Sequence, residues 1–121
     1  MTRTRTSKPQ LQYDGRRMNL KAATDPIQQV CDLYAERCDI RRDDDWYLLK
    51  IQEELGELVQ AHLRLTQRGR TKGASEAELI AARSDEAADL ICQVLLYCRH
   101  FGIDPDEAVQ RKWLSWLDKA A

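Results

Sequence analysis

Three observations on this 121-residue chain predict an all-α fold, a bundle of four helices. Apolar residues recur at spacings of three, four and seven in four successive segments, the signature of helices with one buried face. Three of those segments open on residues that cap helix N-termini. Gly 5 and Pro 3 are too few for the tight turns of a sandwich or barrel, and no alternating strand pattern competes. The length suits one domain with a modest core, and 43% hydrophobic with 32% charged residues is the balance of a soluble globular chain.

The first helix is expected to open at Thr24-Asp25-Pro26, a cap followed by proline at the first helical position. Ile27, Val30, Cys31 and Tyr34 form its stripe, which ends near Cys38. A charged connector from Asp39 to Asp45 leads to a second helix over about 44–67. Its apolar set is Leu48, Ile51, Leu55, Leu58, Val59, His62 and Leu65. Gly56, inside this helix, costs roughly 1 kcal/mol relative to alanine, a cost that makes sense where a neighbouring helix or a ligand approaches the backbone closely. Arg68, Gly69, Arg70, Lys72 and Gly73 mark a basic loop, after which Ser75 and Glu78 form a capping box for the third helix. That helix runs to about Phe101 and stops at Gly102, with a candidate break at Ser84. Its second half, Leu90 to Cys98, is apolar on nearly every side, so a chain this small is expected to complete its core by oligomerisation. Asp104-Pro105 caps the last helix, whose apolar face is Ala108, Val109, Trp113, Trp116 and Leu117.

The formal net charge of −1 averages two unlike parts. Residues 1–24 carry six basic side chains (Arg3, Arg5, Lys8, Arg16, Arg17, Lys21) against Asp14 alone, and 25–121 carry 13 bases against 19 acids. We read 1–24 as a basic flexible arm and 25–121 as the helical domain. The arm is either a plain tail or a contact for nucleic acid or an acidic partner; a transit peptide fits its composition but not its lack of an apolar face. No apolar run approaches a membrane span, so no membrane partner is expected. Cys31, Cys38, Cys92 and Cys98 form no CxxC pair and sit in helical surroundings, which points to unpaired thiols and a cytoplasmic location ahead of a disulfide or a zinc site.

The informative acids border the apolar stripes. Glu54 falls at the stripe's edge on the second helix with Glu57 one turn on, while Glu53 points farther outward. Glu86 and Asp89 share a face of the third helix where it becomes apolar. Either pair alone reads most simply as a solvated helix face. Two such pairs on two helices can also converge four carboxylates on one point, where they repel unless a divalent cation lies between them. Oxygen-only donors suit a hard ion, Mg²⁺ or Mn²⁺. Mg²⁺ held by carboxylates usually engages substrate phosphates as well.

Glu53-Glu54-Leu55-Gly56-Glu57-Leu58, then Glu86-Ala87-Ala88-Asp89-Leu90, then Gly102-Ile103-Asp104-Pro105-Asp106-Glu107-Ala108-Val109-Gln110-Arg111-Lys112 resembles the MazG-type all-α nucleotide pyrophosphohydrolases over roughly 27–113. That superfamily also contains dimeric dUTPases and phosphoribosyl-ATP pyrophosphohydrolases. The resemblance implies a MazG-like four-helix bundle, a homodimer or homotetramer, and Mg²⁺-dependent hydrolysis of a nucleoside triphosphate to monophosphate and pyrophosphate. It implies Glu54, Glu57, Glu86 and Asp89 as metal ligands and Lys112 as a phosphate contact. Lys50, one turn before Glu53, is a second phosphate candidate, and Glu53 a candidate to orient or deprotonate the attacking water. The sequence departs from the family after Lys112, where Trp113-Leu114-Ser115-Trp116-Leu117 replaces an Asn- or Arg-bearing stretch; Arg68, Arg70 and Lys72 or a partner subunit are the other sources of phosphate contacts.

Overall fold

The computed structural model describes residues 18–119. Its elements are α1 (Leu20–Arg37), α2 (Asp44–Leu65), α3 (Glu76–His100), α4 (Pro105–Val109), a π turn (Gln110–Leu114) and α5 (Ser115–Lys119), with no strand among the described residues. The described residues form an all-helical fold. α2 and α3 form the main pair, α1 lies against α3, and α4 touches α1. The α2–α3 pair is antiparallel: His100, at the end of α3, bonds Asp44, at the start of α2, through Nε2 and Oδ1 2.7 Å apart. Among the described residues no helix is long and apolar enough to cross a membrane.

α1 begins earlier than its local signals suggest. Asn19 is the cap, accepting from Ala22 N at 3.0 Å, and Pro26 lies inside the helix. The added turn is held by a distant group: Asp106 of α4 accepts from Leu20 N at 2.7 Å and from Lys21 N at 3.0 Å. A carboxylate over the free N–H groups of a first turn stabilises it through hydrogen bonds and the helix dipole. No local pattern encodes a partner 86 residues away. The expected arm over 1–24 lies outside the described residues up to 17, and its positions 20–24 belong to α1.

The remaining boundaries follow local chemistry. Asp43 caps α2 by accepting from Trp46 N at 2.8 Å. Ser75 and Glu78 form the expected capping box on α3. α3 runs unbroken through Ser84, whose hydroxyl donates to the Ile80 carbonyl at 3.2 Å within the helix, so the candidate break does not occur. Gly102 follows its end at φ 67°, the left-handed conformation that glycine adopts without steric cost. Asp104 caps α4 with Pro105 at its start, as expected, but the last helix is then interrupted by the π turn.

The buried centre is small: Cys31, Tyr47 and Leu96, with Ile27, Trp46 and Tyr97 packed around it. Tyr47 stacks on His100 with centroids 4.1 Å apart and meets Trp46 edge-on at 4.9 Å. All four cysteines are free thiols. The apolar half of α3 is not buried all round within this chain. Leu95 and Leu96 are buried, but Ile91 and Val94 are exposed.

Candidate metal centre

α2 presents a different face to the core from the one its apolar residues suggest. Tyr47, Glu54 and Ala61 are its buried residues, spaced by seven, with Ile51 and Leu58 half-buried beside them. Leu48, Leu55 and Val59 lie roughly 100° around the helix and are 56%, 49% and 48% exposed. Glu54 therefore stands at the middle of the buried face, only 8% exposed, and not at its edge.

The antiparallel pairing sets Glu54 and Glu57 of α2 against Glu86 and Asp89 of α3. One carboxylate oxygen from each lies within 4.8 Å of all the others. Burial pushes Glu54 up first, and hydrogen bonding to Glu57 with the charges of Glu57 and Asp89 adds to it, so that its pKa reaches about 7 from an ordinary 4.5. Glu86 moves the same way, through burial, then its hydrogen bond to Glu57, then the charges of Glu57, Asp89 and Asp85. Two of the cluster's oxygens, Glu54 Oε2 and Glu86 Oε2, are buried and accept from nothing. A buried acceptor without a donor costs free energy, and several acceptors facing one another are the surroundings a cation relieves. Donors that are all carboxylate oxygen fit a hard divalent ion, and helix bundles build metal sites from inward side chains on facing helices.

Comparison with protein families, curated proteins and solved structures finds no match. The site therefore stands on its own geometry.

Lys50 lies at the border of the cluster, with Nζ 3.1 Å from Glu53 Oε2 and 3.7 Å from Glu54 Oε1. Burial works against its ammonium, yet the hydrogen bond to Glu53 and the charges of Glu53 and Glu54 outweigh that and hold its pKa above the ordinary lysine value. Glu53 is largely exposed, accepts from Lys50, and stands outside the four-acid group. Lys112 is exposed on the π turn, which joins α4 to α5. Trp113 and Trp116 are exposed, so they do not form the packed apolar face expected of the last helix; Trp46 packs on the core. Tyr34 is exposed.

Two features of the site escape periodicity. The central position of Glu54 depends on which of two apolar stripes of α2 turns inward. Gln93, one turn after Asp89, carries a third buried oxygen that accepts from nothing, Oε1. Its spacing of four from Asp89 is the only signal for it in the sequence.

Proposed function

We propose that this chain is a nucleotide pyrophosphohydrolase dependent on Mg²⁺, with Mn²⁺ able to substitute, that converts a (d)NTP to the monophosphate and pyrophosphate as a nucleotide-pool house-cleaning enzyme of the MazG type. The observation that carries the reading is the convergence of Glu54, Glu57, Glu86 and Asp89 within 4.8 Å, with two of their oxygens buried and unpartnered. These four residues would hold the metal. A divalent cation bound there supplies positive charge for the phosphates and lowers the pKa of water in its shell.

The chain's own groups then have distinct tasks. The four acids, once neutralised, stop repelling a polyanion. Lys50 is close enough to offer its ammonium to a phosphate oxygen by exchanging it for Glu53. Glu53, released from Lys50 and solvent-facing, would orient water or take its proton as the new P–O bond forms and the phosphoanhydride bond breaks, the electron pair leaving on the bridging oxygen. Lys112, from the opposite end of the chain, is assigned to phosphate on the resemblance alone. Within the same superfamily, dUTP or dUDP and phosphoribosyl-ATP are the other substrates to include.

The enzyme is proposed to act in the cytoplasm as a homodimer or homotetramer. Support for assembly comes from the apolar side chains left exposed on α1 and α2, namely Val30, Leu33, Leu48, Leu55 and Val59. Contiguous exposed apolar patches commonly mark interfaces.

A panel of nucleotides with Mg²⁺ or Mn²⁺, assayed for pyrophosphate release, tests the activity. At least one is expected to turn over, and Glu57→Gln or Asp89→Asn is expected to abolish that turnover. No turnover across the panel overturns the enzymatic reading.

A further inference from the structure

Buried side-chain oxygens and nitrogens without partners number three among the described residues, and they are Glu54 Oε2, Glu86 Oε2 and Gln93 Oε1. The first two belong to the carboxylate cluster. The third does not, and chance alone would not be expected to leave it in the same seam. At about 100° per residue, Gln93 falls between Glu86 and Asp89 in azimuth on α3, so it faces α2 as they do. It lies roughly 6 Å beyond Asp89 along the helix axis. Helical side chains lean toward the N-terminus of their helix, which tilts Gln93 back toward Asp89.

The antiparallel register gives the same location. Asp44 is level with His100, and the Glu54–Glu57 pair is level with Asp89–Glu86. Counting along both helices, Gln93 is level with Lys50, the residue whose ammonium borders Glu54. Lys50 donates to Glu53 and not to Gln93. The Gln93 oxygen is thus buried at the Lys50 end of the cluster and has no protein donor.

We propose that the Gln93 amide oxygen is a fifth, neutral oxygen donor toward the divalent cation of this cluster. The inference rests on the metal-site reading above. An amide oxygen is an ordinary donor to hard divalent ions. Being uncharged, it adds a ligand without adding to the repulsion among four acids. It also gives the site a polar wall at the end where Lys50 stands.

Manganese binding to the purified full-length chain tests this without reference to catalysis. Isothermal titration with Mn²⁺ at pH 8 is expected to show one class of sites in wild type that Asp89→Asn removes. Gln93→Met keeps the length of the side chain and deletes the oxygen; it is expected to weaken Mn²⁺ about tenfold, the range found for supporting residues of metal sites. In chelator, the same variant is expected to melt no lower than wild type, since it removes a buried acceptor that nothing satisfies. Gln93→Glu retains an oxygen and is expected to bind Mn²⁺ at least as tightly as wild type at pH 8. Wild-type affinity in Gln93→Met, a lower melting point of that variant in chelator, or weakened binding in Gln93→Glu overturns the assignment of Gln93. Absence of Mn²⁺ binding in wild type overturns the metal site itself, a different result from the first. If Gln93→Met does not fold, the Gln93→Glu titration decides alone.

Discussion

In chelator, this protein is expected to become less stable as the pH rises from 5 to 8, the reverse of a chain whose carboxylates are paired with cations. Glu54 carries the effect. Its pKa is about 7 in the fold against 4.5 for an unperturbed glutamate. Between those values the folded chain keeps a proton that the unfolded chain has released. Stability therefore falls with rising pH across that window, is greatest below the unfolded value and is lost above the folded one. A tenfold change in an acid's dissociation constant corresponds to about 1.4 kcal/mol, so Glu54 contributes a loss of roughly 3 kcal/mol over the window. Glu86 is shifted in the same direction and adds to it. The groups facing Glu54 are Glu57 and Lys50 on its own helix and Glu86 and Asp89 across the seam, and Lys50 is the one that opposes the shift. Urea unfolding in EDTA at half-unit steps from pH 5 to 8 reads the slope directly. Glu54→Gln is expected to flatten it and to be more stable than wild type at pH 8; the difference between the two curves also removes whatever the two histidines contribute. Saturating Mn²⁺ is expected to restore stability at pH 8, by about 2.7 kcal/mol at a hundredfold excess over the dissociation constant, and to release protons as it binds near pH 6.5. Stability that rises between pH 5 and 8 in chelator, or a slope unchanged by Glu54→Gln, refutes the claim that this carboxylate is held protonated by burial and by its neighbours.

Asp106→Ala removes the acceptor for two backbone N–H groups of α1 and is expected to cost about 1–2 kcal/mol, the scale of a lost cap with its charge; amide exchange at Leu20 and Lys21 accelerates, and unchanged exchange there would mean the contact is not formed. Thiol titration of the unreduced, denatured chain is expected to count all four cysteines, with Cys38 reacting first and buried Cys31 late in the native protein; a lower count signals a disulfide. At Gly56 an added Cβ meets nothing within 4 Å inside the chain, so alanine gains about 1 kcal/mol of helix propensity in the dissociated protein. In the proposed oligomer the same change is expected to raise the dissociation constant measured by sedimentation, because Gly56 borders the exposed Leu55–Val59 stripe; an equally tight oligomer counts against that interface.

Most of the helices were legible because their determinants are local. Ser75 with Glu78 and Asp104 with Pro105 act within four residues of the N–H groups they satisfy; Asp43 does so too, although within its charged connector it does not stand out as the cap. The start of α1 was not legible, because Asp106 reaches it only after α4 has packed beside it. The π turn at Gln110–Leu114 has no counterpart in the pattern of Ala108, Val109, Trp113 and Trp116, which reads as a continuous stripe. At the site, the spacing of three within each acid pair was readable, whereas the burial of Glu54 and the unpartnered oxygen of Gln93 depend on how two helices are rotated against each other.

That rotation is the informative part. α2 carries two apolar stripes, one through Tyr47, Ile51, Leu58 and Ala61 and one through Leu48, Leu55, Val59 and His62. Hydrophobicity alone would bury a face centred between the two, on Ile51, Leu55, Leu58 and His62, with Glu54 at its edge. The fold instead sets the face with Glu54 against α3 and leaves Leu48, Leu55 and Val59 about half exposed. Taken as an isolated, metal-free chain this is unfavourable on both counts: a carboxylate is desolvated among three others, and apolar area that could be covered is not. Both penalties have the same kind of remedy, a partner from outside the chain. A divalent cation in the α2–α3 seam would turn the four acids from a repulsive group into a ligand set. A second copy of the helix face would cover the outer stripe, where Gly56 leaves the backbone open to close approach. The helix is oriented as a chain that binds on both of its faces would require, which is why the same rotation motivates the metal site and the assembly together.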